Sequence, residues 1–143
     1  MVISLNIAVV CSSKNKLTLQ LADELARYGK THVIEINEYD FNQKTDLLIL
    51  GFSSLPQEKK IIKSFISKLS RDHVSNFALF STYHMNDRRI QDIISYAIKK
   101  DLPLMREQCC CKLPLFSKKL PDDIKQLSRC YIDDMITICE HYY

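Results

Sequence analysis

The chain has 143 residues, 46% hydrophobic and 26% charged, enough apolar mass for one core and too little for two ordinary domains. Its longest apolar stretches are about five residues, far short of the roughly 20 that a bilayer-crossing helix needs, and the first apolar run carries no basic leader. A single cytoplasmic domain over residues 1–143 is expected, with no membrane partner; a net charge of +3, dispersed along the chain, points to no nucleic acid.

Residues 3–10 are a nearly continuous β-branched and apolar run, as a strand buried on both faces requires. A polar stretch, 11–16, leads into Leu17, Leu21 and Leu25 with Ala22, Ala26 and Tyr28 at helical spacing, and Gly29 offers a C-terminal stop. Residues 31–36 and 46–51 read as a second and a third strand. Ser54 and Gln57 then stand at capping-box spacing around Pro56, ahead of a helix whose stripe is Ile61, Ile62, Phe65, Ile66 and Leu69. A fourth strand is expected over 76–81 and a polar loop over 82–87. Ile90, Ile93, Ile94, Ala97 and Ile98 face a third helix toward the core. Residues 109–115 form a weaker fifth strand. Pro121, Asp122 and Asp123 open a last helix with inward residues Ile124, Leu127, Tyr131, Met135 and Ile138.

Strands alternating with helices predict an α/β doubly wound, three-layer α/β/α sandwich on a five-stranded parallel sheet. Ligands of such sheets bind outside the carboxyl ends of the strands, here residues 11–18, 52–56 and 82–87. Two glycines, where about ten are usual, leave neither G-x-G-x-x-G nor G-x-x-x-x-G-K-[ST], so the standard dinucleotide and triphosphate loops are excluded. Six cysteines without a C-x-x-C, three of them consecutive at Cys109, Cys110 and Cys111, suit neither a disulfide scaffold nor a zinc site. The scattered histidines show no metal spacing, and the adjacent acids Asp122-Asp123 and Asp133-Asp134 diverge by about 100° on a helix.

With these elements in place the whole chain resembles the flavodoxin-like family of small FMN proteins. Their phosphate loop, [ST]-x-T-G-N-T before a helix beginning x-x-[LIV]-A, aligns with Ser13-Lys14-Asn15-Lys16-Leu17-Thr18 and then Leu19-Gln20-Leu21-Ala22. Ser13 and Thr18 match, whereas Asn15, Lys16 and Leu17 replace the family's threonine, glycine and asparagine. Residues 46–51 and 78–83 are similar to the strands that precede the family's two flavin-flanking loops. The resemblance implies strand order 2-1-3-4-5, FMN as cofactor, and electron transfer with a redox partner protein, the chain being a monomer or homodimer. It also implies a phosphate socket from Ser12, Ser13, Lys14, Asn15, Lys16, Leu17 and Thr18, and ring-flanking loops from Ser53, Ser54 and Leu55 and from Thr82, Tyr83, His84 and Met85.

The chemistry of such a socket is definite. A phosphate dianion takes inward N–H groups, hydroxyl donors and the positive end of a helix, and an isoalloxazine ring takes an aromatic or apolar slot. Tyr83 is the leading stacking residue. The alternative reading is a flavodoxin-like scaffold that has lost FMN and acts as an interaction or regulatory module, for which the glycine-free loop speaks. A third, phosphoryl chemistry on Cys11, resembles low-molecular-weight tyrosine phosphatases, but their C-x5-R-[ST] signature requires arginine where Leu17 stands.

Overall fold

β1 (Ile7–Cys11), β2 (Val33–Glu35), β3 (Leu47–Ser53), β4 (Phe77–Tyr83) and β5 (Cys109–Lys112) form one parallel sheet in the order β2-β1-β3-β4-β5. This is the topology that the sequence resemblance implies. The coordinates are a computed structural model and describe residues 5–12, 16–85, 87–113 and 119–142. The inner strands are buried on both faces because helices cover both. α1 (Lys16–Tyr28) and α4 (Asp122–Tyr142) lie on one side, and α2 (Pro56–Ser67) and α3 (Arg88–Lys99) on the other. The core is therefore double. Val9, Leu47, Ile49 and Phe80 face α1 and α4, while Val10, Leu48, Leu50, Phe52 and Phe77 face α2 and α3. Among the described residues no helix is long and apolar enough to cross a membrane.

Several local expectations need correction. β1, β3 and β4 begin and end later than the apolar runs suggest, reaching Cys11, Ser53 and Tyr83 because paired neighbours continue the ladder there, whereas β2 and β5 are shorter than expected and end at Glu35 and Lys112. No Ser54–Gln57 capping box forms. Leu55 is the N-cap of α2 and makes no side-chain cap bond, although Pro56 does occupy the first turn. Ile61, Ile98 and Leu127 are exposed, each lying about 100° from a neighbour that already faces the sheet. The inward stripe of α4 runs instead through Ser128, Tyr131, Ile132, Met135 and Cys139.

α1 ends at Tyr28, but its left-handed residue is Lys30 (φ 57°) rather than Gly29. The N–H of Thr31 donates back to the carbonyl of Ala26 at 2.9 Å, closing the Schellman-type turn one position later than glycine alone would suggest. Gly29 eases the end of the helix itself. A Cβ there would stand 3.2 Å from the Leu25 carbonyl oxygen, a tight approach, and in ordinary contact with Ile132 of α4 at 3.6 Å.

Candidate functional site at the carboxyl edge of the sheet

The chain leaves β1 toward the α1 face and β3 toward the α2 face, which opens a crevice between their carboxyl ends. Its floor depends on Gly51. Gly51 pairs with Cys11 on one side and Phe80 on the other, and the Phe80 ring lies where a Cβ of residue 51 would be, with Cζ only 1.9 Å from that point. The fully buried ring therefore packs directly on bare backbone.

Above this floor stand the ends of three strands. Ser12 donates its N–H to the Gly51 carbonyl at 3.4 Å and its hydroxyl to Glu58 Oε1 at 3.3 Å. Glu58 Oε2 accepts from the Ser53 N–H at 3.1 Å and also from the Ser53 hydroxyl. A carboxylate inside the protein is stable only when such donors surround it, and Glu58 also lies in the first turn of α2, where the helix dipole favours negative charge. The sequence reading misses Glu58. Its signal was there: it precedes Ile62 by four residues and so belongs to the inward stripe of α2.

The two loops expected to flank a ring are tied together. The Ser54 N–H donates to the Thr82 carbonyl at 3.0 Å, and Arg89 of α3 donates to the Ser54 carbonyl at 3.1 Å. Beyond these bonds Leu55 is 36% exposed and Met85 81% exposed, an apolar residue at the tip of each loop. Tyr83 is half-buried against the α2 and α3 side. His84 Nδ1 bonds the Leu113 carbonyl at 3.0 Å, so its ring is fastened to the segment after β5.

The expected phosphate residues divide. Lys16 is exposed at the start of α1, whose first turn, Lys16 to Thr18, carries no acidic side chain. Leu17 is buried and anchors α1 in the core. Thr18 is fully buried, its hydroxyl 2.6 Å from that of Thr82, which locks the first turn of α1 to β4. Ser13, Lys14 and Asn15 lie outside the described residues. Cys11 is buried within the core shared by α1 and α4.

A cavity of about 420 Å³ opens elsewhere, on the flank between the turn after β2 and α2, where Phe41, Phe65, Lys60 and Lys68 line it. None of the strand-end donors reaches it. The carboxyl edge, where hydroxyls, backbone N–H groups and exposed apolar side chains converge, is the better candidate.

No model of a known protein family matches the chain, and no curated protein matches its sequence. Solved structures do match in shape. A flavodoxin from the domain Archaea superposes with a TM-score of 0.69 at 14% identity, over 96% of this chain and 100% of that one. The flavodoxin of Streptococcus pneumonia TIGR4 gives 0.69 at 13% identity, over 92% and 97%. The Flv1 flavodiiron core from Synechocystis sp. PCC6803 gives 0.73 at 14% identity, over 98% of this chain and 37% of that one. The fold is flavodoxin-like.

Proposed function

We propose that the chain binds FMN non-covalently at the carboxyl edge of the sheet and passes electrons to a redox partner protein. The observation that carries this reading is the pair of tied loops bearing exposed Leu55 and Met85, with Tyr83 and His84 beside them, joined through Thr82 and Thr18 to the first turn of α1, which carries no acidic side chain. Exposed apolar side chains on neighbouring loops suit the face of a planar ring. The residues fit the cofactor in kind: Leu55, Tyr83, His84 and Met85 for the ring, and Ser12 and Lys16 for the phosphate. FMN supplies the electron-transfer chemistry when bound. The chain's own part is to hold the phosphate, wall the ring and keep water from its faces, a part in which no side chain acts as acid, base or nucleophile.

Glu58 favours the second reading, a flavodoxin-like scaffold acting as an interaction module. Its carboxylate already takes the Ser12 hydroxyl and the Ser53 N–H, donors that a phosphate or ring edge would otherwise use. A titration separates the two. Flavin fluorescence is followed as purified protein is added to FMN and, separately, to riboflavin. Quenching by saturable binding of FMN, with riboflavin bound much more weakly, is the expected result; binding of neither overturns the flavin reading in favour of the module.

A further inference from the structure

The run Cys109-Cys110-Cys111 takes no part in the site above, yet its geometry is distinctive. The three residues form most of β5, which among the described residues is an edge strand paired with β4 alone. Strand alternation sends Cys109 and Cys111 to the face covered by α1 and α4, and Cys110 to the opposite face, where the Ser81 hydroxyl donates to its sulfur at 3.4 Å. Cys109 Sγ and Cys111 Sγ stand 3.6 Å apart, in hydrogen-bond contact. Residues two apart on a strand have Cα atoms roughly 6.6 Å apart, near the upper limit for a disulfide. Joining these sulfurs therefore requires the edge strand to pucker and no distant segment to move.

We propose that Cys109 and Cys111 are an oxidation site for hydroperoxides, closing to a same-strand disulfide that loosens the 82–85 loop. The Cys111 sulfur attacks the terminal peroxide oxygen; the O–O bond breaks, Cys111 becomes a sulfenic acid, and the departing hydroxide, or alkoxide from an alkyl hydroperoxide, takes the proton that the Cys111 thiol gave up and leaves as water or alcohol. The Cys109 sulfur then attacks Cys111 Sγ. The S–S bond forms, the S–O bond breaks, and the hydroxyl leaves as water with the proton from Cys109. Two thiols lose two electrons and the peroxide gains them.

Electrostatics assigns the order. The hydrogen-bond contact between the two sulfurs holds the Cys111 thiol below its ordinary range, whereas the same contact, with burial, pushes Cys109 strongly up. Burial also raises Cys110, and it pushes Cys139 up to about 11, so Cys111 is the first of these four to ionise. The thiols are buried, and small hydroperoxides reach them when the edge strand opens locally. Consequences travel along the ladder. Cys111 registers with Thr82, the Leu113 N–H donates to the Tyr83 carbonyl at 2.8 Å, and the Leu113 carbonyl is the partner of His84. A pucker at Cys111 pulls on all three.

The test treats the reduced full-length protein with hydrogen peroxide, alkylates it under denaturing conditions and weighs the peptide that carries all three cysteines. That peptide is expected to lose two hydrogens and to carry one alkyl group, on Cys110. Cys110→Ser is expected to keep the bond, while Cys109→Ser and Cys111→Ser lose it. Amide exchange at Leu113 and across 82–85 is expected to quicken at least tenfold in the oxidised protein. Three alkyl groups on the peptide, a bond involving Cys110, or direct passage to sulfinic acid overturns the proposal, as does unchanged exchange in the oxidised form. These measurements need no flavin, so they stand apart from the cofactor titration.

Discussion

Gly51→Ala perturbs one contact with a calculable consequence. The added methyl would lie 1.9, 2.2 and 2.5 Å from three atoms of the Phe80 ring, and ordinary contact begins at 3.4 Å. The ring must retreat by about 1.5 Å inside a fully buried setting, or β3 must part from β4. Overpacking of this kind costs roughly 1–3 kcal/mol, and a clash with several rigid ring atoms belongs at the upper end, about 3 kcal/mol. Relief of glycine's backbone entropy returns roughly 0.5–1 kcal/mol, leaving a net loss of about 2 kcal/mol. Urea unfolding followed by circular dichroism measures it. The decisive comparison is the double variant Gly51→Ala/Phe80→Leu, because leucine removes the atoms that the methyl strikes. Phe80→Leu alone is expected to cost about 1–2 kcal/mol through the space it leaves. The double variant is expected to be more stable than the sum of the two single losses implies by about 2 kcal/mol. Additive losses, or a Gly51→Ala protein within roughly 0.5 kcal/mol of the parent, would refute the claim that this glycine exists to seat the ring.

Thr82→Val removes the 2.6 Å contact between the buried Thr82 and Thr18 hydroxyls and is expected to cost about 1 kcal/mol in the same unfolding assay; with Thr18→Val in the same protein the two losses should not add, since both variants remove one shared bond. Lys30→Gly removes the left-handed strain at φ 57° and is expected to raise the thermal midpoint, with a gain of up to about 1 kcal/mol. Lys59 donates to Asp92 Oδ2 at 2.9 Å, and that bond, with the charge behind it, holds the Asp92 carboxyl below its ordinary value of 3.8. A carboxyl depressed by folding contributes stability above its unfolded value that is lost as pH falls through the folded one. Lys59→Met is therefore expected to move the Asp92 titration, followed by NMR, upward toward 3.8, with no effect on stability near neutral pH beyond that of an exposed ion pair.

The architecture was legible in the order of the segments alone. Short apolar runs alternating with helical stripes require a parallel sheet covered on both faces, and five such runs give five strands. Inward positions such as Ile62, Phe65 and Ile66 were equally legible, because helical period and burial are local properties. Element ends were less so. Ser53 belongs to a strand because Thr82 of β4 pairs with it, and Thr82 and Tyr83 because Cys111 and Lys112 of β5 pair with them; a ladder bond is a fact about two segments at once.

The site depended most on tertiary structure. Composition offers Thr18 and Ser12 as donors, but whether a hydroxyl faces a ligand or another side chain is decided by what folds against it. Thr82 meets Thr18, and Glu58 meets Ser12, across 64 and 46 residues of chain. The role of Gly51 likewise rests on a phenylalanine from the neighbouring strand, and the contact between Cys109 and Cys111 rests on a face that α1 and α4 bury. Side-chain periodicity travels along one segment and can be read there; the partners of a buried polar group come from distant segments, so only the assembled sheet decides them.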